Sequence, residues 1–177
     1  MGLRSTSTRL AAAAGAAVLC LATVTTAPAS AAPTNHVLAI WYVLANGKIQ
    51  LKGTDKCLDA DLGSIDQNGT KVQLWDCGGG GDEQNWTLET TPGGYVIHNV
   101  RSGRCLDAAL EEINEPGGKV QLWDCTGNPE QLWYRDNHQG DTFFRNGYFG
   151  PESGRRLDTL DGGEDNGTPV VLTGMIS

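Results

Sequence analysis

Residues 56–77, KCLDADLGSIDQNGTKVQLWDC, and residues 104–125, RCLDAALEEINEPGGKVQLWDC, are one passage written twice at an offset of 48. A repeated passage of this length makes the repeat, rather than the whole chain, the unit of architecture. A weaker third copy, RRLDTLDGGEDNGTPVVLTGM, occupies residues 155–175. In each copy an apolar run reaches Leu-Asp and a polar loop follows. The loop leads to a turn (Asn68-Gly69, Gly117-Gly118 or Asn166-Gly167) and then a Val-rich run. These are strand, turn and strand signals, and no stretch of useful length carries a helical period. The 24 glycines suit an all-β chain with many tight turns.

The first two copies continue into a Gln-x-Trp, at Gln84–Trp86 and Gln131–Trp133, whereas the third copy ends at the C-terminus without one. A matching piece stands at the other end of the chain. Residues 39–51, AIWYVLANGKIQL, align with QNWTLETTPGGYVI (84–97) and QLWYRDNHQGDTFF (131–144), with Ala39 where the others have glutamine. The expectation is three units, about 40–84, 85–131 and 132–177, each of four strands. The N-terminal strand then completes the third unit in a permuted register.

Residues 1–31 read as a secretory signal: Arg4 and Arg9, an Ala/Val/Leu run, and an A-x-A site ending at Ala31. A short lead, 32–38, precedes the folded domain at 39–177, and no other stretch is apolar long enough to span a bilayer. The expected location is therefore extracellular. The whole chain carries a net charge of −8. Without the two leader arginines, eleven basic residues face 21 acids, a net charge of −10. Such a surface repels phosphate backbones and anionic membranes, so neither nucleic acid nor membrane is an expected partner.

Outside the leader stand Cys57, Cys77, Cys105 and Cys125, with both in-repeat separations equal to 20. An even count in an exported chain implies disulfides, and the equal spacing selects Cys57–Cys77 and Cys105–Cys125. In the third copy Arg156 and Met175 replace both partners together. No CxxC pair or adjacent histidine supports a metal site, and no cofactor is expected.

The CLD…VQLWDC…EQxW pattern, complete twice and partial once, resembles the ricin B-type lectin family, whose fold is the β-trefoil. The resemblance covers essentially the whole chain after the leader. It implies one shallow sugar site per unit. The aspartate after Cys-Leu and the glutamine of Gln-Leu-Trp bond hydroxyls, the tryptophan stacks on the pyranose, and an Asn-Gln pair closes the polar side. A sugar ring offers a C–H face to an aromatic plane and a rim of hydroxyls to carboxylate and amide groups. Unit one supplies Asp59, Gln73, Trp75, Glu83 and Gln84; unit two supplies Asp107, Gln121, Trp123, Glu130 and Gln131. Both depart from the pattern at the asparagine, where Glu83 and Glu130 stand. In unit three Asp158 persists, but Val171 and Thr173 replace the glutamine and tryptophan, so at most two sites are expected.

Blander roles compete for these residues. Trp75 and Trp123 could be core, although Trp41, Trp86 and Trp133 already form a threefold core set. The persistence of Asp158 in a unit without a site suggests that this aspartate braces its loop in all three. Glu111, Glu112 and Glu115 read as a solvated loop, and His36, His98 and His138 receive no role. Two functions follow: a secreted lectin-like protein that binds a glycan or polysaccharide, or a trefoil scaffold for protein contact. The joint survival of Asp, Gln and Trp in two units favours the first. No nucleophile with a nearby base points to an enzyme. The sugar, a partner and the oligomeric state are not encoded in these motifs.

Overall fold

The computed structural model describes residues 37–78, 81–152 and 154–174; the expected leader lies outside the described residues. Among the described residues, twelve strands form one antiparallel sheet. The first unit contains β1 (Trp41–Val43), β2 (Ile49–Leu51), β3 (Lys56–Ala60) and β4 (Thr70–Asp76). The second contains β5 (Trp86–Thr91), β6 (Gly94–Asn99), β7 (Cys105–Ala108) and β8 (Gly118–Trp123). The third contains β9 (Leu132–His138), β10 (Asp141–Asn146), β11 (Arg156–Thr159) and β12 (Val170–Thr173). Among the described residues, helical backbone is confined to short 3-10 turns such as Asp82–Gln84 and Pro129–Gln131.

Each unit is two hairpins joined in register at Gln50↔Cys57, His98↔Cys105 or Arg145↔Arg156. The second hairpins meet around a ring: Thr70 pairs with Leu122, Gly118 with Leu172, and Gln73 bridges Pro169. The first hairpins close a second ring. Val96 pairs with Leu132, Thr142 with Trp41, and Trp86 N–H donates to Gly47 O at 2.8 Å. This is the threefold plan of a β-trefoil.

The core is built from the repeat in triplets. Leu58, Leu106 and Leu157 are buried, as are Leu74, Leu122 and Leu172, and Val72, Val120 and Val170. Strand alternation sends Val72 and Leu74 inward and Gln73 and Trp75 to the opposite side. Trp41, Trp86 and Trp133 complete the set at no more than 3% exposure. Each indole N–H donates to the carbonyl of the Leu-Asp leucine: Trp86 to Leu58 at 3.0 Å, Trp133 to Leu106 at 2.9 Å and Trp41 to Leu157 at 3.1 Å. A buried indole needs such an acceptor, which the Leu-Asp strand supplies three times.

The turn glycines Gly69, Gly117 and Gly167 have φ of 88°, 76° and 87°, a left-handed conformation that L side chains rarely adopt. Disulfides join Cys57 to Cys77 and Cys105 to Cys125. In unit three Arg156 occupies the corresponding register position, paired with Arg145 and Thr173. Its guanidinium lies 4.9 Å from the Phe143 ring centre, while Arg145 pairs with Asp136 and lies over Tyr134. Charge and aromatic contact thus stand where the other units have a covalent bridge.

Candidate sugar-binding clefts

The hairpins β3–β4 and β7–β8 carry the same three residues in the same register. Asp59 lies opposite Gln73 and Cys57 opposite Trp75; Asp107 lies opposite Gln121 and Cys105 opposite Trp123. Cross-strand pairing therefore brings the aspartate of one strand beside the glutamine of the next, with the tryptophan further along that face. The 3-10 turn before each core tryptophan then delivers a second glutamine.

In unit one Gln73 Nε2 donates to Asp59 Oδ1 at 3.1 Å, and Gln84 Nε2 donates to Oδ2 at 3.1 Å. Gln84 Nε2 also donates to Asp76 O at 3.0 Å, and its Oε1 accepts from Lys48 Nζ at 3.1 Å. Unit two repeats the arrangement. Gln121 and Gln131 hold the two oxygens of Asp107 at 3.0 Å each, and Gln131 Nε2 also donates to Asp124 O at 2.9 Å. Gln131 Oε1 accepts from Thr126 N at 2.8 Å. Both amide N–H bonds of Gln84 and Gln131 are thereby engaged within the protein.

Burial raises the pKa of Asp59 and Asp107 above the ordinary carboxylate value; the two glutamine donors pull the other way. Nearby charges add to the rise, Glu83 and Asp61 in unit one and Glu130 and Glu111 in unit two. Glu83 and Glu130 are each only 6% exposed. Their backbones are pinned from below, since Asn99 Nδ2 donates to Glu83 O and Asn146 Nδ2 to Glu130 O, both at 2.8 Å.

Trp75 and Trp123 are 43% and 38% exposed, against almost nothing for the three core tryptophans. Trp75 walls a cleft of about 320 Å³ with Asp59, Asp61, Leu62, Gln73, Glu83 and Gln84. Trp123 walls one of about 220 Å³, where Asp107, Gln121 and Glu130 are joined by Leu110, Glu111, Thr126 and Asn128. All the site residues expected in unit one border their cleft. In unit two Gln131 sits behind Asp107 rather than on the wall. Both clefts are open, as a ring lying against an aromatic face requires.

Sequence reasoning missed Asp61, Leu62, Leu110, Thr126 and Asn128, and it read Glu111 only as a solvated loop residue. It also missed the supporting pair Asn99 and Asn146. The signal for that pair was available: an asparagine ends the second strand in units two and three, opposite the core tryptophan.

The third unit differs in kind. Asp158 is fully buried and accepts from Ala39 N at 3.1 Å, where Gln84 and Gln131 serve the other two aspartates. A smaller cleft of about 150 Å³ lies beside it, lined by Val37, Leu38, Ala39, Lys52, Thr159 and Glu164 among others. No tryptophan borders it.

Among the described residues, three metal-ligating side chains converge only at His98, Cys105 and Cys125. The two sulfurs are joined to each other, so they are not thiolate ligands.

The structural comparisons return the same architecture. ThreeFoil, a designed threefold-symmetric protein, superposes with a TM-score of 0.60 at 23% identity, over 78% of this chain and 89% of that one. The agglutinin of Rhizoctonia solani superposes with a TM-score of 0.58 at 20% identity, over 81% and 91%. 1,3Gal43A, an exo-β-1,3-galactanase from Clostridium thermocellum, gives a TM-score of 0.60 at 25% identity over 79% of this chain, which spans only 28% of that enzyme. Curated proteins give no match. The ricin-type β-trefoil lectin domain profile matches residues 11–133 and, in a second alignment, 45–174. With the triplet core, the paired disulfides and the twice-built cleft, that match places the chain in the ricin-type β-trefoil lectin family.

Proposed function

We propose that the protein is a secreted, non-catalytic carbohydrate-binding protein with two shallow sugar sites, in units one and two. The observation that carries this reading is the twofold recurrence of one arrangement: a half-exposed tryptophan beside a buried aspartate held by two glutamines. Trp75 and Trp123 are the stacking platforms. Asp59 with Gln73, and Asp107 with Gln121, present the polar rim to ring hydroxyls. Gln84 and Gln131 act from behind by fixing the aspartate. Unit three has Val171 and Thr173 on the matching strand and braces Asp158 with backbone, so it contributes no sugar site. Two shallow sites on one rigid body gain through avidity on a polymer or a glycan-covered surface.

A glycan array and polysaccharide pull-down, run beside a Trp75→Ala/Trp123→Ala variant, tests the reading. Binding that disappears in a variant with an unchanged circular dichroism spectrum supports two sites. Failure of the wild type to bind any glycan overturns the proposal and favours a trefoil scaffold for protein contact.

A further inference from the structure

His98 stands directly opposite Cys105 in the β6–β7 register, and its ring reaches the Cys105–Cys125 bridge. Its Nδ1 lies 3.5 Å from Cys105 Sγ and 3.5 Å from Cys125 Sγ. The other ring nitrogen, Nε2, lies 2.8 Å from Glu89 Oε2. Glu89 is on β5, set diagonally across from His98 on one face of the sheet. A carboxylate only accepts, so Nε2 carries the proton, and in the neutral ring Nδ1 turns its lone pair to the two sulfurs. Sulfurs bonded to each other have no proton to offer it.

The first bridge lacks these parts. Gln50 takes the place of His98 opposite Cys57, and its amide donates to Thr54 O at 2.8 Å. In the third unit that place belongs to Arg145, opposite Arg156. Two cysteines, and a histidine whose second nitrogen is held by a carboxylate, are the parts of a zinc site with one position left open. In a tetrahedral site, bonds of about 2.3 Å to sulfur and about 2.0 Å to nitrogen put sulfur and nitrogen about 3.6 Å apart. Both distances from Nδ1 to sulfur, 3.5 Å, are already close to that. The two sulfurs would have to separate to about 3.8 Å, and only as thiolates do they bind a metal. The bridge must therefore open first. Cys125 is exposed and the His98 side chain is 27% exposed, so a small reductant and an ion can both reach it.

From this geometry we infer that the second unit holds a redox-gated zinc site made by Cys105, Cys125 and His98, with Glu89 orienting the imidazole. Two equivalents of a small thiol reduce the S–S bond to two protein thiols and leave as one disulfide. Zinc then displaces the two thiol protons to solvent and binds both sulfurs and Nδ1, with water in the fourth position. The ion ties β7 to the segment after β8 in place of the covalent bridge. Thiolate and imidazole together favour zinc over magnesium or calcium.

The test reduces the full protein with a tertiary phosphine, which takes up oxygen from water and adds no thiol of its own, and then titrates zinc against a chromophoric chelator. The expected result is one tight ion per chain in the reduced protein and none in the oxidised protein. Zinc should also raise the thermal midpoint of the reduced protein. Cobalt(II) in the same site should give the intense visible absorption of a tetrahedral thiolate complex. His98→Gln, which copies the first unit, should weaken zinc binding by more than about a hundredfold, and Glu89→Gln by about tenfold. Cys105→Ser/Cys125→Ser should remove the tight ion while the thiols of Cys57 and Cys77 remain.

Two tight ions per chain, or one that persists in His98→Gln, overturns the zinc site, because paired thiols alone then suffice. Equal binding by the oxidised protein overturns it as well. So does a reduced protein that binds no zinc, or one whose circular dichroism spectrum is that of an unfolded chain even with zinc present.

Discussion

The indole N–H of Trp41 donates to the carbonyl of Leu157 at 3.1 Å, across 116 residues of sequence. Trp86 with Leu58 and Trp133 with Leu106 make the same bond across 28 and 27 residues. The contact that is local in two units is long-range in the third. It is reinforced by the Trp41↔Thr142 pairing and by the Ala39 bond to Asp158.

Trp41→Phe keeps most of the buried area but leaves the Leu157 carbonyl without its donor. The expected cost is about 1–3 kcal/mol in urea unfolding. Trp86→Phe and Trp133→Phe should lose a similar amount, because their partners are equivalent. A Trp41 variant as stable as wild type would show that the N-terminal strand does not hold the third unit.

Trp75→Ala and Trp123→Ala should separate binding from stability. Neither indole is in the core, so each single variant is expected to change unfolding free energy by less than about 1 kcal/mol. Each is also expected to remove sugar binding from its own unit, leaving a stoichiometry of one by calorimetry. A large stability loss would return these residues to the core reading.

Gln84→Leu tests the brace behind the first cleft. The variant removes a hydrogen bond that holds the Asp59 pKa down while leaving its burial in place. The carboxyl pKa should therefore rise further, as read by NMR titration. The expected stability cost is about 1–3 kcal/mol, the penalty for an under-satisfied buried group. Gln131→Leu should do the same to Asp107.

The pH dependence has two opposing parts. The folded pKa values of Asp59 and Asp107 lie above the unfolded value, here 3.8. The folded state then binds more protons than the unfolded one, so these groups contribute most below that value. Their contribution is lost as pH rises through the folded pKa. Asp136, paired with Arg145, has a lowered pKa and behaves oppositely: its contribution is present above 3.8 and fades as pH falls through its folded value. Chemical denaturation across the carboxylate range should show Asp59→Asn/Asp107→Asn losing the first slope and Asp136→Asn the second. Reversed slopes would contradict the burial assigned here.

Replacing both cysteines of one bridge by serine should cost about 3 kcal/mol in the chain-entropy view of a loop of this length. Arg156→Ala in the unbridged unit removes a cation–π contact and a charge attraction to Asp136 and should cost about 0.5–1 kcal/mol. Comparable losses at the two places would mean that the arginine ladder is a full substitute for the covalent bond.

The fold was legible because its determinants recur. Leu-Asp, the Asn-Gly or Gly-Gly turn, the Val-x-Leu run and the spaced cysteines each appear two or three times in fixed order, and repetition reveals which residues share an environment. The clefts were legible for the same reason as far as Asp59, Gln73, Trp75 and their counterparts. What escaped is what the repeats do not share. Asp61 and Glu111 sit at different loop positions, so no alignment of the units pairs them. The buried state of Glu83 and Glu130 depends on the turn that folds beneath Asn99 and Asn146, a contact spanning 16 residues with no sequence motif of its own. Trp75 and Trp86 are the same residue type on successive strands, β4 and β5, and only register decides which enters the core and which faces the cleft.

The bond from Trp41 to Leu157 also has a kinetic consequence. During synthesis the strand holding Trp41 is made first, yet its acceptor follows only after two complete units. Local hairpins can form as they emerge, but ring closure must wait for β11, and contacts of such separation are slow to form. Until then Trp41 has only its local β2 partner and its indole lacks the third-unit acceptor, so a chaperone that shields residues 39–43 should raise the yield of folded protein more than one that shields any internal hairpin.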